Sequence, residues 1–183
     1  MAQTENECIR QCQLGDKEAF RWVVHTYQRM VFSLALKMLC DEEEAKDIVQ
    51  DTFLRAWQRI RDYDSKKSFT SWLYTIASHL CLDRLKSRKH IVSLPEDAAT
   101  LRNIVASFDS QHTLENREWV SIVKLMAEGL SPKQRLVFTL CLLEGLSSSE
   151  VEQITGLDAR QVKSNLYVAR QTIRTRLKQL GYE

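Results

Sequence analysis

Apolar positions recur along this chain at alternating steps of three and four. Phe20, Val24, Tyr27, Val31, Leu34 and Met38 form the first series. Ala45, Val49, Thr52, Ala56 and Ile60 form the inner face of the second, and Phe69, Leu73, Ile76 and Leu80 that of the third. This is the helical period, so each series predicts an amphipathic helix with one buried stripe. Start signals sit where the pattern needs them. Asp16, just after Gly15, caps the first helix, and Asp41 starts the second with Glu44 in the capping-box position. A break at 62–67 precedes the third helix, and a weaker pattern at 4–13 predicts a short one ahead of the first.

Periodicity lapses over residues 90–113, where Pro95 and scattered polar residues read as a linker, with a short helix as an option at 98–107. It resumes at 118–128, with Trp119, Ile122, Val123 and Met126 inward. Three helix starts follow, each a cap residue with a partner three positions on: Ser131 with Gln134, Ser147 with Glu150, and Asp158 with Gln161. Pro132 suits the first position of its helix. Gly145 and Gly156 precede the last two starts, where a helix end favours a left-handed residue. No strand-like alternation appears. The expected fold is all-α: two small helical domains, 1–89 and 114–183, joined by a linker at 90–113. The second is a four-helix domain containing a helix-turn-helix.

Composition narrows the class. Apolar residues make up 44% of the 183 and charged residues 27%, a globular balance. No apolar run approaches the ~20 residues that span a bilayer, and the N-terminal residues lack a signal-peptide pattern. The cytosol is the expected compartment, with no direct membrane insertion. Cys8, Cys12, Cys40, Cys81 and Cys141 read as reduced, mostly buried thiols. No Gly-rich phosphate loop, no His/carboxylate pair and no Ser/His/Asp grouping has usable spacing, so neither an enzyme nor a cofactor or metal site is expected.

The net charge is only +2, but its distribution is uneven. Residues 41–62 balance to −3, whereas 66–90 and 158–178 each balance to +5. Two separated basic segments suggest two contacts with one long polyanion, and the acidic segment suggests a protein partner. The last helix divides cleanly. Val162, Leu166, Ala169, Ile173, Leu177 and Leu180 form its apolar stripe, while Arg160, Lys163, Ser164, Tyr167, Arg170 and Arg174 lie opposite. A recognition helix needs this division, because one face packs while the other enters the major groove. An ordinary basic surface helix would share it, but the preceding cap, short helix and Gly turn favour a helix-turn-helix. In the second helix, Asp47, Gln50, Asp51, Leu54 and Gln58 share the face opposite the stripe. On its own this is a solvated charged face or a dock for a basic helical partner; a carboxylate metal site is a weaker third reading.

The segments DKEAFRWVVHTY, EEAKDIVQDTFLRAWQ and SFTSWLYTIASHLCLDRLKSR, with LSPKQRLVFTLCLLEGLSSSEVEQITGLDARQVKSNLYVAR, resemble the extracytoplasmic-function group of bacterial sigma factors in the sigma-70 family. They are similar to the family's regions two and four, in order, over nearly the whole chain except the linker. The resemblance implies a subunit that joins core RNA polymerase, directs it to promoter DNA and helps open it, with an anti-sigma protein as a further partner. It assigns Asp47, Gln50, Asp51 and Leu54 to core polymerase. It assigns Tyr74, Thr75, Ser78, His79, Asp83, Lys86 and Arg88 to the −10 element. In the last helix, Arg160, Gln161, Lys163, Ser164, Tyr167 and Arg170 fall to the −35 element. Phe69 and Trp72 are at core spacing, whereas Tyr74, off the stripe, is the expected surface aromatic. The family often has Asn at His79, and the first helix of a helix-turn-helix usually has a small residue four before its Gly, where this chain has Glu152 before Gly156. The alternative reading, a stand-alone helix-turn-helix regulator, accounts for the second domain but leaves the DIVQD face and the third helix without a role.

Overall fold

The computed structural model describes residues 5–87, 123–127 and 129–179. These residues are helical throughout apart from turns. The first domain contains α1 (Glu5–Gln13), α2 (Lys17–Leu39), α3 (Glu42–Arg59), a single 3-10 turn (Ile60–Asp62) and α4 (Phe69–Lys86). The second contains α5, described over 123–127, then α6 (Pro132–Phe138), α7 (Ser148–Thr155) and α8 (Ala159–Gln179).

The starts follow the local code. Asp16 accepts from the Glu18 and Ala19 amides at 2.8 and 3.2 Å, and Asp41 from the Glu44 amide at 2.9 Å. Each cap satisfies amides that a helix leaves unpaired in its first turn. Between α2 and α3 the chain turns on Cys40 in the left-handed region, φ 54°. The short connection folds α3 back along α2.

The predicted stripes of α2, α3 and α4 are all buried. Phe20 meets Phe53 and Trp57 at centroid distances of 6.3 and 4.9 Å, fastening α2 to α3. A second aromatic group joins Tyr27, Tyr63, Phe69 and Trp72 at 5.1–5.4 Å. Phe69 is therefore a core residue and Trp72 a half-buried one, as their spacing indicates. Gln13 donates to the Ile60 and Tyr63 carbonyls at 3.1 and 2.9 Å, tying α1 to the turn after α3. In the second domain Val123 is buried and Met126 is packed against Phe138, Ala169 and Ile173. Trp119, Ile122, Leu180 and the linker lie outside the described residues.

Two features were not expected. The helix begun at Pro132 does not end at Phe138 but widens into a π turn, Thr139–Leu143. The Glu144 amide closes it on the Thr139 carbonyl at 2.9 Å, and Gly145, φ 73°, lets Leu146 return to the Leu140 carbonyl at 3.0 Å. The second feature is a shared core. Leu136, Val137, Leu140, Val151, Ile154 and Val162 join the first domain's apolar cluster, leaving Phe138, Ala169 and Ile173 as the separate core of the second. The described apolar residues of the second domain are thus divided between a core of their own and one continuous with the first domain.

Cys8, Cys12 and Cys81 are buried, and Cys40 and Cys141 half-buried, all as thiols and not disulfides. Burial pushes Cys12 and Cys81 up to about 12. A thiol raised in the folded state stays protonated where the unfolded chain already ionises. Its contribution is complete below the unfolded value near 9 and is lost as pH rises towards 12. Urea titrations from pH 8 upward should show stability falling through that window, and Cys12→Ala with Cys81→Ala should flatten the fall; an unchanged slope would contradict the burial assigned to these thiols.

Candidate functional site

Three surfaces carry the residues singled out in the sequence, and the structure treats them differently. The first is on α8. Asp158 and Gln161 form a reciprocal cap, the Gln161 amide donating to Asp158 Oδ1 at 2.7 Å and the Asp158 amide to Gln161 Oε1 at 3.0 Å. Ahead of it, Ser147 and Glu150 make the same box at the start of α7, and the hydrogen bonds from Ser147 hold the Glu150 carboxyl below its ordinary range. Gly156, φ 71°, ends α7 with its amide on the Glu152 carbonyl at 2.9 Å. The turn between the helices is therefore fixed from both sides.

This geometry buries Val162, Ala169 and Ile173 and leaves Arg160, Gln161, Lys163, Ser164, Tyr167, Arg170 and Arg174 exposed. Tyr167 is 64% exposed on this face. No acid occurs anywhere in α8. The face is an uninterrupted field of positive charge with a π surface in it, the chemistry that suits a phosphate-lined groove. Glu152, at the position where a small residue is usual, stays half-exposed at the edge of α7, so no carboxylate is forced into the helix-turn-helix core.

The second surface is α4. His79, Asp83 and Lys86 are exposed, and Thr75 is half-buried with its hydroxyl donating to the Ser71 carbonyl at 2.9 Å. Arg88 lies outside the described residues. Two expectations fail here. Tyr74 is not a surface aromatic: it is 5% exposed, and its hydroxyl donates to Glu144 Oε2 at 2.9 Å. Burial, and then the Glu144 charge, push the phenol far above its ordinary value. Ser78, one turn further on the same side, is 1% exposed, and its hydroxyl has no hydrogen-bond partner. For Tyr74 the cause is tertiary, because Glu144 of the second domain lies against its hydroxyl.

The third surface is on α3. Asp47 and Gln58 are exposed, and Gln50 and Asp51 half-exposed, so the polar face stands as predicted. Leu54 is the exception, only 8% exposed although it belongs to neither core cluster. Among the described residues no group of three or more His, Cys, Asp or Glu is placed to hold a metal ion.

Sequence reasoning missed the charged contacts between the domains. Lys37 Nζ lies 2.7 Å from Glu144 Oε1, and Ser33 donates to the same oxygen at 3.0 Å. Arg135 donates to the Met38 carbonyl at 2.8 Å. One signal was available. Glu144 ends a helix, where the dipole disfavours an acid, so a cationic partner elsewhere was implied.

Comparison with known proteins bears on the same segments. Residues 23–91 match the family model described as Sigma-70 region 2, and residues 122–173 match Sigma-70, region 4. The chain is similar to the ECF RNA polymerase sigma factor SigW of Bacillus subtilis (strain 168), 30% identical over 94% of this chain and 96% of that protein. In fold it is similar to CnrH, solved in complex with the cytosolic domain of CnrY, with a TM-score of 0.68 at 22% identity, covering 94% of this chain and 96% of that one. It is also similar in fold to the sigma factor RpoE, solved with the anti-sigma factor NepR from Bartonella quintana. There the TM-score is 0.62 at 20% identity, covering 87% and 96% of the two chains.

The reciprocal cap at the start of α8 gives a direct check. Asp158→Ala should cost about 1 kcal/mol in chemical denaturation, whereas Gly156→Ala should cost about 1–2 kcal/mol through the left-handed backbone alone. If neither substitution lowers the unfolding midpoint, the turn is not fixed as described.

Proposed function

The chain belongs to the extracytoplasmic-function group of the sigma-70 family, and we propose that it works as a two-point grip, with α3 on core RNA polymerase and α4 and α8 on the two promoter elements. As a sigma factor it binds core polymerase and directs promoter-specific transcription initiation. The assignment displaces the stand-alone regulator, which left α3 and α4 without a role. An anti-sigma protein is a further partner.

The observation that carries the reading is the face of α8: cationic, free of acids, exposed, and backed by an apolar stripe. Arg160, Gln161, Lys163 and Ser164 stand at the N-terminal end, from which a recognition helix reaches base edges in the major groove. Gln161 is spoken for in part by its cap bond to Asp158, so Lys163 and Arg160 are the stronger base readers. Tyr167, Arg170 and Arg174 follow along the same face at the spacing for backbone phosphates.

Asp47, Gln50 and Asp51 make α3 the polymerase dock. An acidic, amide-bearing helix face suits a basic helical partner by charge complementarity, which sets orientation and association rate more than raw affinity. Leu54 lies beside them as buried support for the face. On α4, His79, Asp83 and Lys86 are open to the −10 element, and Tyr74 and Ser78 lie on the covered side. His79 can donate and stack at a position where the family often has Asn.

The reading assigns the chain no catalysis; bond formation belongs to the polymerase it guides. It also puts the chain in the cytosol with that polymerase, and no helix among the described residues is long and apolar enough to cross a membrane.

Asp51→Arg should weaken capture of core polymerase at least tenfold while leaving the fold intact; undiminished binding in a pull-down would remove α3 from the interface. Lys163→Ala should cost about 1–3 kcal/mol of discrimination at one base pair of the −35 element, measured by run-off transcription on a promoter panel. An unaltered preference across the panel would take Lys163 out of base readout.

A further inference from the structure

Val168 is the aliphatic exception on the open side of α8. Its side chain is 40% exposed, although the next residue, Ala169, is fully buried. Arg160, Ser164 and Val168 follow one another at four-residue steps, so they lie along one side of the helix, and all three are exposed. A β-branched residue in mid-helix gives up helix propensity, which burial ordinarily offsets. Here burial offsets little of it. Single exposed apolar residues are common on protein surfaces; what distinguishes this one is the group beside it.

That group is the Ser164 hydroxyl, one turn earlier. Elsewhere in the fold, helical hydroxyls turn back on their own backbone. Thr75 donates to the Ser71 carbonyl at 2.9 Å and Thr155 to the Val151 carbonyl at 2.6 Å. On α8 itself Asn165 gives its amide to the Gln161 carbonyl at 2.8 Å. The Ser164 hydroxyl makes no such bond among the described residues, so its hydrogen is open to a group outside the chain. Side chains one turn apart stand about 5–6 Å from each other. Valine in a helix keeps essentially one χ1 rotamer, which fixes where its methyl groups point. A free donor and a stiff apolar group are therefore held side by side.

One base edge in the major groove has the matching parts. Thymine presents the O4 acceptor beside its C5 methyl, and none of the other three bases carries a methyl there. We propose that Ser164 and Val168 form a thymine-reading pair within the −35 element, Ser164 donating to O4 and Val168 packing on the C5 methyl. The pair rests on the reading of α8 given above and adds a base identity to it. Arg160 and Lys163 have the chemistry for guanine, so the pair extends recognition to an A·T base pair that the cations do not specify.

Deoxyuridine keeps O4 and lacks the methyl, which isolates the contact. Holoenzyme assembled from the full chain and core polymerase is presented with two duplex pools. Both are randomised over the −35 segment of a fragment that the holoenzyme transcribes; one is made with thymine and the other with deoxyuridine. The parent should select thymine at one position, and the deoxyuridine pool should weaken that selection about fourfold, as expected for one buried methyl group. Val168→Ala should remove most of this sensitivity, whereas Ser164→Ala should lower selection of thymine and deoxyuridine alike. Equal selection of the two bases by the parent, or a methyl effect undiminished in Val168→Ala, would overturn the pair. A preference that Lys163→Ala relaxes, in a parent blind to the methyl, would leave α8 as the reader and remove only Val168. Selection at no position, with Lys163→Ala also without effect, would take both the pair and the reading of α8 with it. Unfolding midpoints equal to the parent's keep all these outcomes apart from misfolding.

Discussion

A helix buried on several sides has to satisfy every neighbour at once, and α2 is that helix. Phe20 meets α3 through Phe53 and Trp57, and Tyr27 meets α4 through Phe69. Ser33 and Lys37 then turn towards the second domain. Its C-terminal part, 31–39, has no exposed residue, and a stretch with so little free perimeter is stable only inside a protein. The other elements take their places from it, and its two polar positions decide how the second domain can sit. Cys40, bent into the left-handed region at the end of α2, lies where Arg135 comes across from that domain.

The helices were legible in the sequence because their determinants are local. Asp16, Ser131 with Gln134, Ser147 with Glu150 and Asp158 with Gln161 act within one turn of themselves, and all four caps form. The apolar stripes were legible for the same reason. Tyr74, Ser78 and Leu54 were misplaced because all three lie off the stripe. An off-stripe residue is exposed on a lone amphipathic helix but not where a second layer arrives. For Tyr74 that layer comes from far along the chain. The π turn was hidden too, since nothing in TLCLL encodes a bond to the fifth residue rather than the fourth.

The same contrast separates the candidate surfaces. The basic face of α8 depends only on its own stripe and caps, so sequence and structure agree on it residue by residue. The α4 face depends on where another domain rests, so its composition is readable but its accessibility is not. His79, Asp83 and Lys86 remain outside that contact and Tyr74 within it, which divides one helix between two environments.

The π turn has a consequence for how this chain tolerates insertions and deletions. Each residue in a helix advances the phase by about 100°, and the wide turn at Thr139–Leu143 holds one residue more than an α turn would. Removing a single codon there would restore ordinary winding and leave Glu144 close to its present phase, because the wide turn is what absorbs the extra residue. Reading frame, hydrophobic composition and the register between the domains would all survive. The length of this segment is thus something the gene is free to vary by one residue.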